Sequence, residues 1–94
     1  MKETETSLRG SDINRYVKGL IQSDPRLQDI WVTGEVSNFI HHRSGHMYFR
    51  IKDSASSLRC VFFKRENRRS IFKPEDGMEV ILHGYISVYE PDGA

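Results

Sequence analysis

The sequence predicts a mainly β domain with an N-terminal helix, and three observations carry that reading. Met47, Phe49 and Ile51 alternate with Tyr48, Arg50 and Lys52, the period of two of a half-buried strand. Runs rich in β-branched and aromatic residues recur before and after that segment, separated by turn residues. Only Ile13, Tyr16, Val17, Leu20 and Ile21 form an apolar stripe at helical spacing of useful length.

Taken in order, Met1–Gly10 is polar and aperiodic and is expected to be a disordered lead-in, with residues 11–94 forming one domain. Ser11 is the expected helix N-cap, and Asp12 suits the first turn. Asp24–Pro25 should end this helix, because the residue before a proline avoids helical angles. Its stripe predicts a helix packed on a sheet. Leu27–Val36 is the first expected strand, with Gly34 marking a bulge or bend. Trp31 lies on the face opposite Val32 and is expected to pack, although an exposed base would also stack on it. Ser37–His46 reads as a loop whose Ser44–Gly45 makes a turn. Met47–Asp53 is the second strand and Ser54–Ser57 a hairpin loop, with Asp53 as a turn former. Leu58–Lys64 is the third strand, with Leu58, Cys60 and Phe62 inward and Arg59, Val61 and Phe63 outward. The outer partner of these residues is either a base or another part of the chain. Arg65–Ser70 suits one or two helical turns, anchored by Ile71 and Phe72. Lys73–Gly77 is a turn with Gly77 as its left-handed residue. Met78–Tyr89 is the fourth strand, with Val80, Leu82, Ile86 and Val88 inward and a bend at Gly84. Pro91–Asp92–Gly93 signals a turn into a further strand.

Ninety-four residues with 37% hydrophobic content support one small core. The single cysteine, Cys60, excludes an intrachain disulfide, fits a reducing compartment and reads as a small core residue. No apolar run approaches the roughly 20 residues that span a bilayer, and the first residues lack the apolar core of a signal peptide. A soluble cytoplasmic chain with no membrane partner is the expectation. The net charge of +1 conceals a segregation: His41–Lys73 holds nine Lys/Arg and two Asp/Glu, and the remainder is acidic. That asymmetry points to a polyanionic partner for the middle third, against the plain alternative of a solvated basic face.

Catalytic signatures are absent from the sequence. It has no phosphate-cradling glycine loop, HExxH, GxSxG or CxxC. Three histidines in the first loop, His41, His42 and His46, lack the cysteine or carboxylate partners of a zinc site, so neither metal nor cofactor is expected. An outward face bearing Tyr48, Arg50 and Lys52 beside a basic loop is instead suited to nucleic acid, with aromatic rings stacking bases and cations tracking phosphates.

The order helix, three strands, short helix, strand, with glycines that let a sheet curl, suits an OB-fold, a five-stranded Greek-key barrel. Its fifth strand would follow Gly93 and is expected to be truncated here. Unpaired edges would then invite self-association of the chain. The segments VTGEVSNF, HHRSGHMYFRIKD, LRCVFFK, FKPEDGMEV and GYISVYEPDG resemble the N-terminal domain of the exodeoxyribonuclease VII large-subunit family, over about Ser11–Gly93. The resemblance implies a bacterial exonuclease that degrades single-stranded DNA to oligonucleotides, with this chain as its non-catalytic DNA-binding front end. It also implies small subunits that assemble through a C-terminal part not present here. Asn38, His41, Ser44, Gly45, His46 and Tyr48 match the family's signature positions, whereas His42 and Arg43 stand where the pattern varies.

The expected DNA contacts are therefore phosphate neutralisation by Arg50, Lys52 and Arg59 and base stacking by Tyr48 and Phe63. His46 would act in the loop, and Arg43, Lys64, Arg65, Arg68 and Arg69 would widen the track. The alternative is a protein-interaction module, in which the same face docks a small subunit or the rest of the large subunit. RNA binding of the kind seen in aminoacyl-tRNA synthetase OB domains shares the fold and is made less apt by the Ser44–Gly45–His46 loop.

Overall fold

The first helix begins two residues earlier than its serine suggests. The computed structural model describes residues 7–88, and α1 runs Gly10–Gln22 with Arg9 at the N-cap position. Asp12 decides this start. Its Oδ2 accepts the Arg9 backbone N–H at 3.0 Å, satisfying an orphan donor from inside the first turn, so Ser11 falls within the helix. At the other end Ser23 caps α1 through its N–H to the Gly19 carbonyl (3.0 Å) and its hydroxyl to the Leu20 carbonyl (2.8 Å). Asp24–Pro25 stops α1 as expected but also starts a second helix, α2 (Pro25–Gln28). Proline suits a first helical position, and Asp24 Oδ1 accepts the Arg26 N–H at 2.9 Å. The strand expected from Leu27 consequently begins at Ile30.

Within its own unit the α1 stripe is left largely open. No residue of α1 is buried, and Tyr16 and Leu20 remain 65% and 53% exposed. Within its own compact unit, residues 7–31 with 83–88 among those described, the helix has mainly α2 beside it, and that single turn offers little apolar surface. Ile86 closes this unit, donating its N–H to the Leu27 carbonyl at 2.8 Å.

Val32–Leu82 forms the second unit and contains the core. The strands are β1 (Ile30–His41), β2 (Met47–Lys52), β3 (Ser57–Phe62) and β4 (Glu79–Gly84), with the single-turn helix α3 (Lys64–Asn67) after β3. They form one sheet in the order β3-β2-β1-β4, antiparallel between β1 and β2 and between β2 and β3. β2 is the central ruler. Met47, Phe49 and Ile51 are buried while Tyr48, Arg50 and Lys52 are exposed. Val36, Phe49, Ile51 and Val80 make the core, flanked by Val32, Phe39, Cys60, Phe62, Met78 and Leu82.

Gly34 serves a different purpose from the expected bend. A Cβ there would lie 3.1 Å from Ile51 Cβ and 3.2 Å from the Lys52 carbonyl oxygen, so the glycine permits close approach of β1 to β2. The bulge comes later, between Ser37 and Ile40, where Asn38 and Phe39 oppose one residue of β2. Asn38 adopts φ 55°, a left-handed conformation that asparagine tolerates, and the Phe39 N–H is satisfied by Asp76 Oδ1 at 2.9 Å. This bulge carries β1 on through His41, so the predicted loop Ser37–His46 shrinks to residues 42–46.

Other boundaries shift for similar local reasons. Ile71 and Phe72 do not anchor the short helix, since both are exposed; Asn67 does so instead. Leu58 is 46% exposed at the start of β3, although Cys60 and Phe62 turn inward as expected. Phe63 leaves the strand and takes extended angles at the N-cap of α3. β4 ends at Gly84, short of the expected Tyr89, which lies outside the described residues together with the Pro91–Gly93 turn. Gly77 has the expected left-handed φ, at 90°, and its N–H bonds the Val36 carbonyl at 2.8 Å.

Candidate nucleic-acid interface

The register of β2 against β3 decides which polar side chains share a face. Tyr48 lies opposite Val61, Arg50 opposite Arg59, and Lys52 opposite Ser57. Directly paired residues of an antiparallel ladder project to the same side, so these six side chains form one outward surface. β1 extends it with Glu35, Ser37 and Ile40, the partners of Lys52, Arg50 and Tyr48. Val61 and Ile40 are 44% and 59% exposed, giving apolar ground between the charges.

Arg50 and Arg59 are the electrostatic centre of this face. Like charges directly opposite on a sheet are destabilising, by up to about 1 kcal/mol. Arg50 Nη1 donates to Ser57 Oγ at 3.2 Å, which draws its guanidinium along β3. Two arginines at directly opposed positions of neighbouring strands suit a phosphate between them.

An aromatic cluster borders the charged pair. The His42 and His46 rings stand nearly perpendicular to Tyr48, at centroid distances of 6.0 and 6.4 Å. His46 also meets Phe63 edge to face at 5.5 Å. Tyr48 and Phe63 remain 39% and 44% exposed, so rings held in place by neighbours still offer surface to a ligand.

The loop between β1 and β2 is stitched to α3, and that positions the cluster. The His42 N–H bonds the His46 carbonyl and the Gly45 N–H the His42 carbonyl, both at 2.9 Å. Ser44 donates its N–H to His42 Nδ1 at 3.0 Å and accepts the His46 N–H at 3.3 Å. His46 Nδ1 accepts the Lys64 backbone N–H at 3.0 Å, which fixes the ring against the start of α3. Asn67 is buried and donates to two carbonyls, Gly45 at 2.8 Å and Phe62 at 3.0 Å. Gly45, with φ 100°, leaves room for the Lys64 stem, since a Cβ would sit 2.6 Å from Lys64 Cδ.

The structure therefore brings together Tyr48, Arg50, Lys52 and Arg59 on the sheet face, with His46 and Phe63 at its loop end. Arg43 is exposed at the loop tip, and Lys64, Arg65, Arg68 and Arg69 are exposed on and just after α3. Asn67 was not foreseen. A lone asparagine among basic residues carries no mark of burial, and only the meeting of loop and helix gives it a role. Ile40 was also missed, because the bulge that turns it outward is invisible to alternation.

A protein-family profile described as an OB-fold nucleic acid binding domain matches residues 8–94. The chain belongs to this OB-fold family. Curated relatives share one name. The exodeoxyribonuclease 7 large subunit of Brevibacillus brevis is 55% identical over 84 residues, covering 89% of this chain and 18% of the relative. Those of Halothermothrix orenii and Ruminiclostridium cellulolyticum are 49% and 54% identical over 83 residues, each covering 88% of this chain and 20% of the relative. The chain thus spans about a fifth of the length of the curated relatives it matches. OB-folds in general take oligonucleotides on the face of their second and third strands and the adjoining loops. No helix among the described residues is long and apolar enough to cross a membrane.

Proposed function

We propose that this OB domain binds single-stranded DNA with little sequence preference, as the DNA-capturing part of an exodeoxyribonuclease VII large subunit. The observation that carries the reading is the facing pair Arg50 and Arg59 beside the exposed, edge-supported rings of Tyr48 and Phe63. Phosphates would bridge the arginines and Lys52, and bases would stack on the two rings. Duplex DNA would bind less well, because paired bases hide their faces. In this reading the domain contributes capture, while hydrolysis of the phosphodiester and assembly with small subunits belong to other parts of the parent protein. The relatives' shared name supports that division, since the match covers only a fifth of their length.

The test is Tyr48→Ala and Phe63→Ala in this chain, read by fluorescence anisotropy with a labelled single-stranded oligonucleotide. Each ring should contribute about 1–3 kcal/mol, so each variant should weaken binding about fivefold or more. Unchanged affinity in both variants would overturn the reading and favour a protein-docking role for this face.

A further inference from the structure

Trp31 on β1 and His83 on β4 are not among the residues described above, and their arrangement calls for its own explanation. Trp31 is 67% exposed, although tryptophan is a residue that proteins usually cover. It is not loose. The His83 ring stacks against it at a centroid distance of 4.4 Å and an interplanar angle of 12°. His83 Nε2 is in turn bonded to the Asp29 carboxylate. Asp29 follows α2, whose end is tied down twice. The Leu27 carbonyl accepts the Ile86 N–H at 2.8 Å, and Gln28 Nε2 donates to the Ile21 and Ile86 carbonyls at 3.2 and 3.4 Å.

All of these residues lie within the unit of residues 7–31 and 83–88, so the arrangement is internal to it. One ring is backed by a second, the second is held by a carboxylate, and the carboxylate sits on a tethered helix end. A large ring that keeps two-thirds of its surface open while its orientation is fixed is built for stacking, because little side-chain freedom remains to be lost on binding.

We infer that Trp31, backed by His83 and Asp29, is a second base-stacking platform for single-stranded nucleic acid. This rests on the nucleic-acid reading of the domain and adds a contact made by residues of β1 and β4. Trp31 would touch the base. His83 and Asp29 are positioning residues that hold the indole.

Trp31 is the only tryptophan in the chain, so its fluorescence reports this site alone. The experiment titrates the chain with an unlabelled oligothymidylate and with an abasic strand of equal length, following tryptophan emission and its protection from acrylamide. Anisotropy with labelled strands is measured in parallel. Thymidylate should quench and shield Trp31, whereas the abasic strand should do neither while still binding through its phosphates. Trp31→Ala should weaken thymidylate binding about fivefold or more, and Trp31→Phe should recover part of the loss. His83→Ala should reduce the shielding of Trp31 at saturating strand. Binding by anisotropy with Trp31 emission unmoved, and with Trp31→Ala equal to the parent, would overturn the platform and leave the β2–β3 face standing. No binding in either channel would overturn both.

Discussion

Single residues decide where this sheet accepts an electrostatic cost. Arg50 and Arg59 face each other across β2 and β3, a pairing that a sheet optimised only for stability would avoid. Arg50→Gln should therefore change stability in urea unfolding by no more than about 0.5 kcal/mol, since lost repulsion offsets the exposed bond to Ser57. The same change should weaken single-stranded DNA binding and lower the salt slope by about 0.7, one phosphate's share. Gly34 shows the opposite economy. A methyl there meets the Ile51 side chain and the Lys52 backbone, neither of which can swing aside, so Gly34→Ala should destabilise by about 1–3 kcal/mol. A midpoint unchanged in urea would contradict that account. At this scale the sequence was readable where a residue's role is local. Asp53 was legible as a turn former, and Gly77 as left-handed. Gly34 and Asn67 were not, because their roles depend on neighbours distant in the chain.

At the level of elements, the β1–β2 loop and α3 act as one piece. Asn67 is the pin, with its amide spanning the Gly45 and Phe62 carbonyls. Asn67→Ala leaves two acceptors without that donor and should cost about 1–3 kcal/mol in thermal or urea unfolding. It should also weaken DNA binding, because His46 and Phe63 lose their mutual support. Full affinity in a folded Asn67→Ala chain would mean that the loop needs no pin. The hairpin between β2 and β3 has its own titratable lock. Asp53 Oδ1 accepts the Ala55 and Ser56 N–H groups at 2.8 and 2.9 Å, and those bonds hold its carboxyl below the usual carboxylate range. A depressed folded value contributes stability that is present above the unfolded carboxylate range and is lost as pH falls through the folded value. Asp53→Asn should thus flatten part of the stability loss below about pH 4 seen with the parent chain. An identical acid limb in both would remove Asp53 from the account. Strand β2 and the alternation of β4 were legible because period two survives wherever one face is buried. The reach of β1 to His41 was not, since a bulge at Asn38 and Phe39 breaks that period while preserving the strand.

For the whole molecule, charge segregation and fold class in the sequence point the same way. The basic middle third, His41–Lys73, falls largely on β2, β3, the adjoining loop and α3, within the unit that holds the core. Helix α1 belongs to the other unit. Its stripe is amphipathic, yet amphipathicity names no partner, and the stripe is exposed among the described residues. We propose that this OB domain grips single-stranded DNA through phosphates and bare bases together. The most direct measurement is the affinity of the chain for single-stranded and duplex oligonucleotides of one sequence across a range of salt. With about four phosphates neutralised, log affinity for the single strand should fall against log salt with a slope near −3, and duplex should bind more weakly at every salt. Affinity indifferent to salt, or equal for the two forms, would contradict the account.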